Sequence, residues 1–123
     1  MVRRRRTKRV KRQKHTGGFQ PGDSVVVKQR VKDPDFGTDI GGWQGRIVKD
    51  PDADDDVVCI AWDSITLKQM PDETIIRSEE EGLSWTEMRL YPNEVELTSP
   101  RDTKNDVEKT IDLLADKHEW NYL

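Results

Sequence analysis

Apolar residues fall in short runs along this chain, separated by Gly, Pro and Asp. The stretch "PGDSVVVKQ" (21–29) opens on a Pro-Gly turn and continues into β-branched residues, which predicts a strand over 23–29. A long Asp-, Pro- and Gly-rich loop follows, "RVKDPDFGTDIGG" (30–42). "WQGRIVK" (43–49) predicts a second strand, in which Gly45 marks a bulge or a close backbone approach. The acidic turn "DPDADDD" (50–56) leads to "VVCIAWD" (57–63), a third strand whose continuous apolar character places it in the core. "SITLKQ" (64–69) reads as a fourth strand after a short bend.

The pattern then changes period. "PDETIIRSEEEG" (71–82) predicts a helix, with Asp72 and Glu73 in its first turn and Gly82 as its stop. "SWTE" (84–87) has the spacing of a capping box, which predicts a helical turn at 85–88. "RLYPNEVEL" (89–97) reads as an extended piece, a turn at Pro92-Asn93 and a closing strand. Residues 101–120 give the clearest helix, capped by Asp102 or Thr103. Val107, Ile111, Leu114, Ala115 and His118 share one face of it and predict how it docks. Leu113 and Trp120 lie off that stripe and predict a second, smaller contact.

Charge divides the chain in two. Residues 1–20 hold nine Lys/Arg and no acid, whereas the other 103 residues hold 12 basic and 24 acidic ones, a net of −12. Residues 1–18 are expected to be a disordered basic tail hinged at Gly17-Gly18, because like charges repel and nothing there can be buried. Phe19 is expected to be the first residue to touch the core. The apolar middle of a secretory signal is missing from the N-terminus, and no run approaches the ~20 apolar residues of a membrane span. A transit peptide would be Ser-rich and amphipathic, and residues 1–15 offer only Val2 and Val10 after Met1. With one cysteine, Cys59, the expected setting is cytoplasmic, or nuclear in a eukaryote.

Three segments in order, "GDSVVV" (22–27), "GWQGRIV" (42–48) and "VVCIAWD" (57–63), resemble the opening of small SH3-like β-barrels of the KOW, Tudor and Mind-bomb type. "YPNEVEL" is similar to the one-turn helix and closing strand that complete such barrels. The resemblance covers roughly 21–69 and 89–97. It implies a mainly β fold: a barrel over 19–97 with a helical insertion at 71–88, and a C-terminal helix within 98–123 packed on it. Short strands between turn signals independently suggest a small all-β barrel or sandwich. Barrels of this type bind RNA, ribosomal proteins, methylated tails or Pro-rich peptides, so the fold alone does not choose a partner.

The basic tail supplies the first candidate site: Arg3, Arg4, Arg5, Arg6, Lys8, Arg9, Lys11, Arg12 and Lys14. Such a run can neutralise phosphates and release counterions, and arginine adds bidentate contacts. The second candidate is the long first loop, where Asp33, Asp35 and Asp39 can meet a basic peptide and Phe36 and Trp43 supply aromatic walls. Trp62, ending an apolar strand, reads as core, and Trp43 is open to either role. The tail itself can occupy that acidic groove.

Chemistry has little to hold. Asp50, Asp52 and Asp54 alternate like the start of an EF-hand loop, but Asp55 stands where its Gly is required and Ala61 where its Glu is required. No phosphate-binding loop, nucleophile elbow or zinc signature is present. Cys59 sits in an apolar strand and His118 on an apolar helix face, both as packed residues. No metal, cofactor or catalytic residue is assigned. The expectation is a non-enzymatic binding protein whose tail attaches to nucleic acid or ribonucleoprotein while the barrel positions or recruits. The alternative is a protein-interaction module whose acidic groove takes a basic peptide, with the tail serving targeting or solubility.

Overall fold

The structure, a computed structural model, describes residues 18–52 and 56–118. The tail expected at 1–18 therefore lies almost wholly outside the described residues, as does Trp120. Five strands form one antiparallel sheet: β1 (Ser24–Val27), β2 (Gln44–Val48), β3 (Val58–Trp62), β4 (Glu87–Leu90) and β5 (Val95–Leu97). Their order across the sheet is β4-β3-β2-β1-β5. Val25, Val27, Ile47, Ile60, Trp62, Met88, Leu90 and Val95 form the buried centre of the core. Cross-strand partners Ile47, Ile60 and Met88 share one face of the sheet, because alternate residues of a strand point the same way.

Two of the expected boundaries move. Residues 64–69 are a helix, α1 (Ser64–Gln69), and not a strand. The alternation of Ile65 and Leu67 with hydroxyl residues suits a strand, but Asp63 decides the outcome. Its carboxylate accepts the Thr66 N–H at 2.8 Å and caps the first turn. The reverse happens at "SWTE". The Ser84 hydroxyl accepts from the Thr86 and Glu87 N–H groups at 3.2 Å, as a cap would, yet the chain continues into β4. Met88 and Leu90 alternate into the core opposite Ile60 and Val58, and that burial outweighs a single turn of helix.

The second helix, α2 (Asp72–Glu80), and the third, α3 (Lys104–Lys117), stand where the periodicity places them. Gly82, at φ 72°, ends α2, with the Leu83 N–H donating back to the Ser78 carbonyl. Thr103 caps α3 in a reciprocal pair with Asp106. The stripe Val107, Ile111 and Leu114 packs half-buried against the core, and α3 lies chiefly along α1. Leu113 is 67% exposed, so the second contact expected of it is not made within the described residues. Phe19 packs on the core from the N-terminal side, as expected.

Helix takes 33% of the described chain and strand 23%, so mainly β gives way to a mixed architecture. The sheet also stays open. Its edge strands β4 and β5 are joined by only the four residues 91–94, which include a 3-10 turn. Five residue steps span at most about 18 Å, slightly less than four flat interstrand gaps at ~4.8 Å. The sheet must curl, but the three residues of β5 all pair with β1 and no ladder joins β5 to β4. No helix among the described residues is long and apolar enough to cross a membrane.

Candidate functional site

The loop between β1 and β2 is built on Asp33. This side chain is 2% exposed, and its Oδ1 accepts the N–H groups of Asp35 (2.7 Å) and Phe36 (3.1 Å). Asp33 thus organises the turn instead of facing solvent. Asp39 pairs across the loop with Lys32 and accepts the Gly41 N–H at 2.9 Å. The ring of Phe36 is covered by the Arg77 guanidinium of α2, 4.1 Å from its centroid. Trp43 is half-buried and meets Trp62 edge-on at 5.2 Å, while Trp62 itself is fully in the core. Asp33, Asp35 and Phe36 are therefore drawn into one turn, with Asp39 bridged to its base. Trp43 is held at the loop's exit by the core.

Four of the folded body's five arginines are engaged by its own carboxylates, and the fifth, Arg30, is exposed. Arg89 is almost fully buried and donates to Asp50 at 2.6 Å. Arg77 reaches Glu81 at 3.2 Å. Arg101 meets Asp63 at 2.7 Å, and Arg46 meets Asp102 at 2.8 Å. The last two pairs form a clasp. Asp63 both caps α1 and receives Arg101, while Asp102 receives Arg46 and the Ser64 N–H at 2.6 Å. Two consecutive residues, Arg101 and Asp102, thereby fix the start of α3 to the end of β3.

Burial disfavours ionisation of Asp102, but hydrogen bonds from Ser64 and the Arg46 partner outweigh it and hold the carboxyl below its ordinary 3.8. A depressed carboxylate stabilises the fold above its unfolded pKa, and that contribution is lost as pH falls through the folded value. Asp102→Asn is expected to be less stable than the parent at neutral pH and to lose less on acidification from pH 6 to 3. Urea midpoints at the two pH values measure this, and equal acid losses in both proteins would refute it.

Cys59 is buried, and burial first, then the nearby Glu87 and Asp50 carboxylates, push its thiol up to about 12. At neutral pH it is a protonated thiol whose S–H faces Glu87 at 3.7 Å, unsuited to attack. His118 lies 3.6 Å from Asp72, which also receives Lys117. Among the described residues no group of three or more His, Cys, Asp or Glu side chains is placed to hold a metal ion.

One site escaped the sequence reading. A cleft of about 450 Å³ opens between the outer face of β2–β3 and the first turns of α3. Val48, Ala61 and Val107 give it an aliphatic floor, and Arg46, Lys49, Lys104 and Glu108 stand around it. Pro21 and Gly22, where the chain enters β1, form one wall. The spacing of Lys104, Val107 and Glu108 puts them on one helix face, which is legible in the sequence. The register that sets Arg46 beside Ala61 is not. Comparison with protein-family models, with curated proteins and with solved structures finds no match for this chain.

Proposed function

We propose that this is a non-enzymatic binding protein. Its N-terminal basic run, Arg3 to Lys14, attaches to nucleic acid or a ribonucleoprotein, and the folded body positions or recruits a second component. The separation of charge carries this reading. The body bears a net −12, and its Arg46, Arg77, Arg89 and Arg101 are engaged by internal carboxylates. Six of the chain's eleven arginines, the side chain best suited to phosphate, belong to the run outside the body. The strand order, four successive neighbours with β5 returning beside β1, supports kinship with SH3-like barrels. The site of action in this reading is the cytoplasm, or the nucleus in a eukaryote.

A second reading rests on Phe36 beneath Arg77. The acidic loop there already holds a guanidinium on an aromatic face, which is how it would hold an arginine from a basic protein. A pull-down with the full chain, with and without nuclease, decides between the two. Captured material that nuclease releases is expected. Capture of a basic protein that survives nuclease and fails after Trp43→Ala would overturn the leading reading in favour of the second.

A further inference from the structure

The cleft between β2–β3 and α3 belongs to neither candidate site of the sequence reading. It differs from the rest of the body in charge. Around its mouth stand two exposed lysines, Lys49 at the end of β2 and Lys104 at the start of α3, and a single carboxylate, Glu108. Arg46 also lines it, its charge offset by Asp102. On a body of net −12, this is a local surplus of positive charge over an aliphatic floor. Its volume, about 450 Å³, falls within the ~300–1,000 Å³ of small-ligand pockets. A ligand that fits has a flat or apolar body and an anionic end.

Position narrows the class further. Pro21 and Gly22 form a wall of the cleft, and Gly18, the first described residue, is three residues before Pro21. In sequence, the nine cations of residues 3–14 precede this wall by seven residues or more. A polyanion bound by the run is thereby linked through the chain to the wall of the cleft, around which Lys49 and Lys104 stand. We propose that the cleft takes one unstacked nucleotide of a single-stranded nucleic acid, with its phosphate at Lys49 and Lys104 and its base on Val48, Ala61 and Val107. This rests on the nucleic-acid reading above and sharpens it to single strands. A base stacked within a duplex cannot enter such a pocket without being extruded. The floor is chiefly aliphatic, with Trp62 also bordering the cleft, so the pocket takes a base with little preference among bases. Glu108 supplies one acceptor for a base N–H.

The test uses the ¹⁵N-labelled full chain, a short oligothymidylate, and the same strand in duplex. The oligonucleotide is expected to shift the amides of Lys49, Ala61, Lys104 and Val107, and the duplex is not. Ala61→Leu fills the floor without changing charge and is expected to weaken single-strand binding about tenfold, roughly 1.4 kcal/mol, leaving duplex binding unchanged. Lys49→Gln with Lys104→Gln is expected to weaken it comparably, and it gives a second route should Ala61→Leu fail to fold. Shifts confined to residues 3–14, with both variants binding as the parent does, overturn the cleft inference and leave the arm reading standing. Binding of neither nucleic acid overturns both. A poly-glutamate peptide that shifts the cleft amides more strongly than the oligonucleotide would reassign the cleft to an acidic protein.

Discussion

Deleting residues 1–18 is expected to lower affinity for duplex nucleic acid at low salt by about a thousandfold or more. The parent chain should show a steep salt dependence, because each neutralised phosphate contributes about −0.9 to the log–log slope for duplex DNA. If six of the nine cations engage, the slope is about −5. The deleted chain should show a slope near zero, since what remains carries net −12 and repels the phosphate backbone. A small residual affinity for single strands, absent for duplex, is the share expected of the cleft. Fluorescence anisotropy across a salt series measures all of these quantities. A deleted chain that binds duplex as tightly as the parent would end the arm reading.

Gly45→Ala is expected to cost at least about 3 kcal/mol, at the upper end of overpacking penalties. An added Cβ at Gly45 would lie 2.2 Å from the carbonyl oxygen of Ala61 and 2.7 Å from the Ile60 side chain. The first of these is backbone, and it cannot swing aside. Gly45 lies opposite Trp62, at one end of the ladder that joins β2 to β3. Relief therefore requires this end of the two strands to part, which would lift Trp62 from the core and disturb its edge contact with Trp43. Urea denaturation of the variant gives the measurement. A midpoint within a few tenths molar of the parent would show that the strands can yield.

Gly45 also shows how far the sequence can be read. A glycine inside a strand signals a close approach of backbones, and the approach is there. The strands themselves were legible because β-branched runs end at Gly, Pro and Asp. So was α3, from its stripe and its cap. The two reversals share a cause. "DSIT" and "SWTE" both place a capping oxygen before amides two or three residues on, and both caps form. Whether a helix or a strand follows depends on what the next apolar residues can reach. Met88 and Leu90 reach β3, and that partner is visible only in three dimensions. Barrel closure failed to follow for a related reason, since it depends on how much of β5 remains after pairing with β1. In the loop site, the spacing of Asp33, Asp35 and Phe36 was plain, but the burial of Asp33 was not. The pairing of each arginine with its carboxylate joins residues as far apart as Arg46 and Asp102, and no local pattern encodes it.

The place of β5 beside β1 has a consequence for synthesis. Val27 waits for Val95, its ladder partner, until 68 further residues have been added. At ~5–20 residues per second the ribosome takes roughly 3–14 s over that interval. Once β2 has followed, β1 can pair with it on one side, while the other side still offers open amides and carbonyls beside a run of valines. Such an edge invites a neighbouring nascent chain.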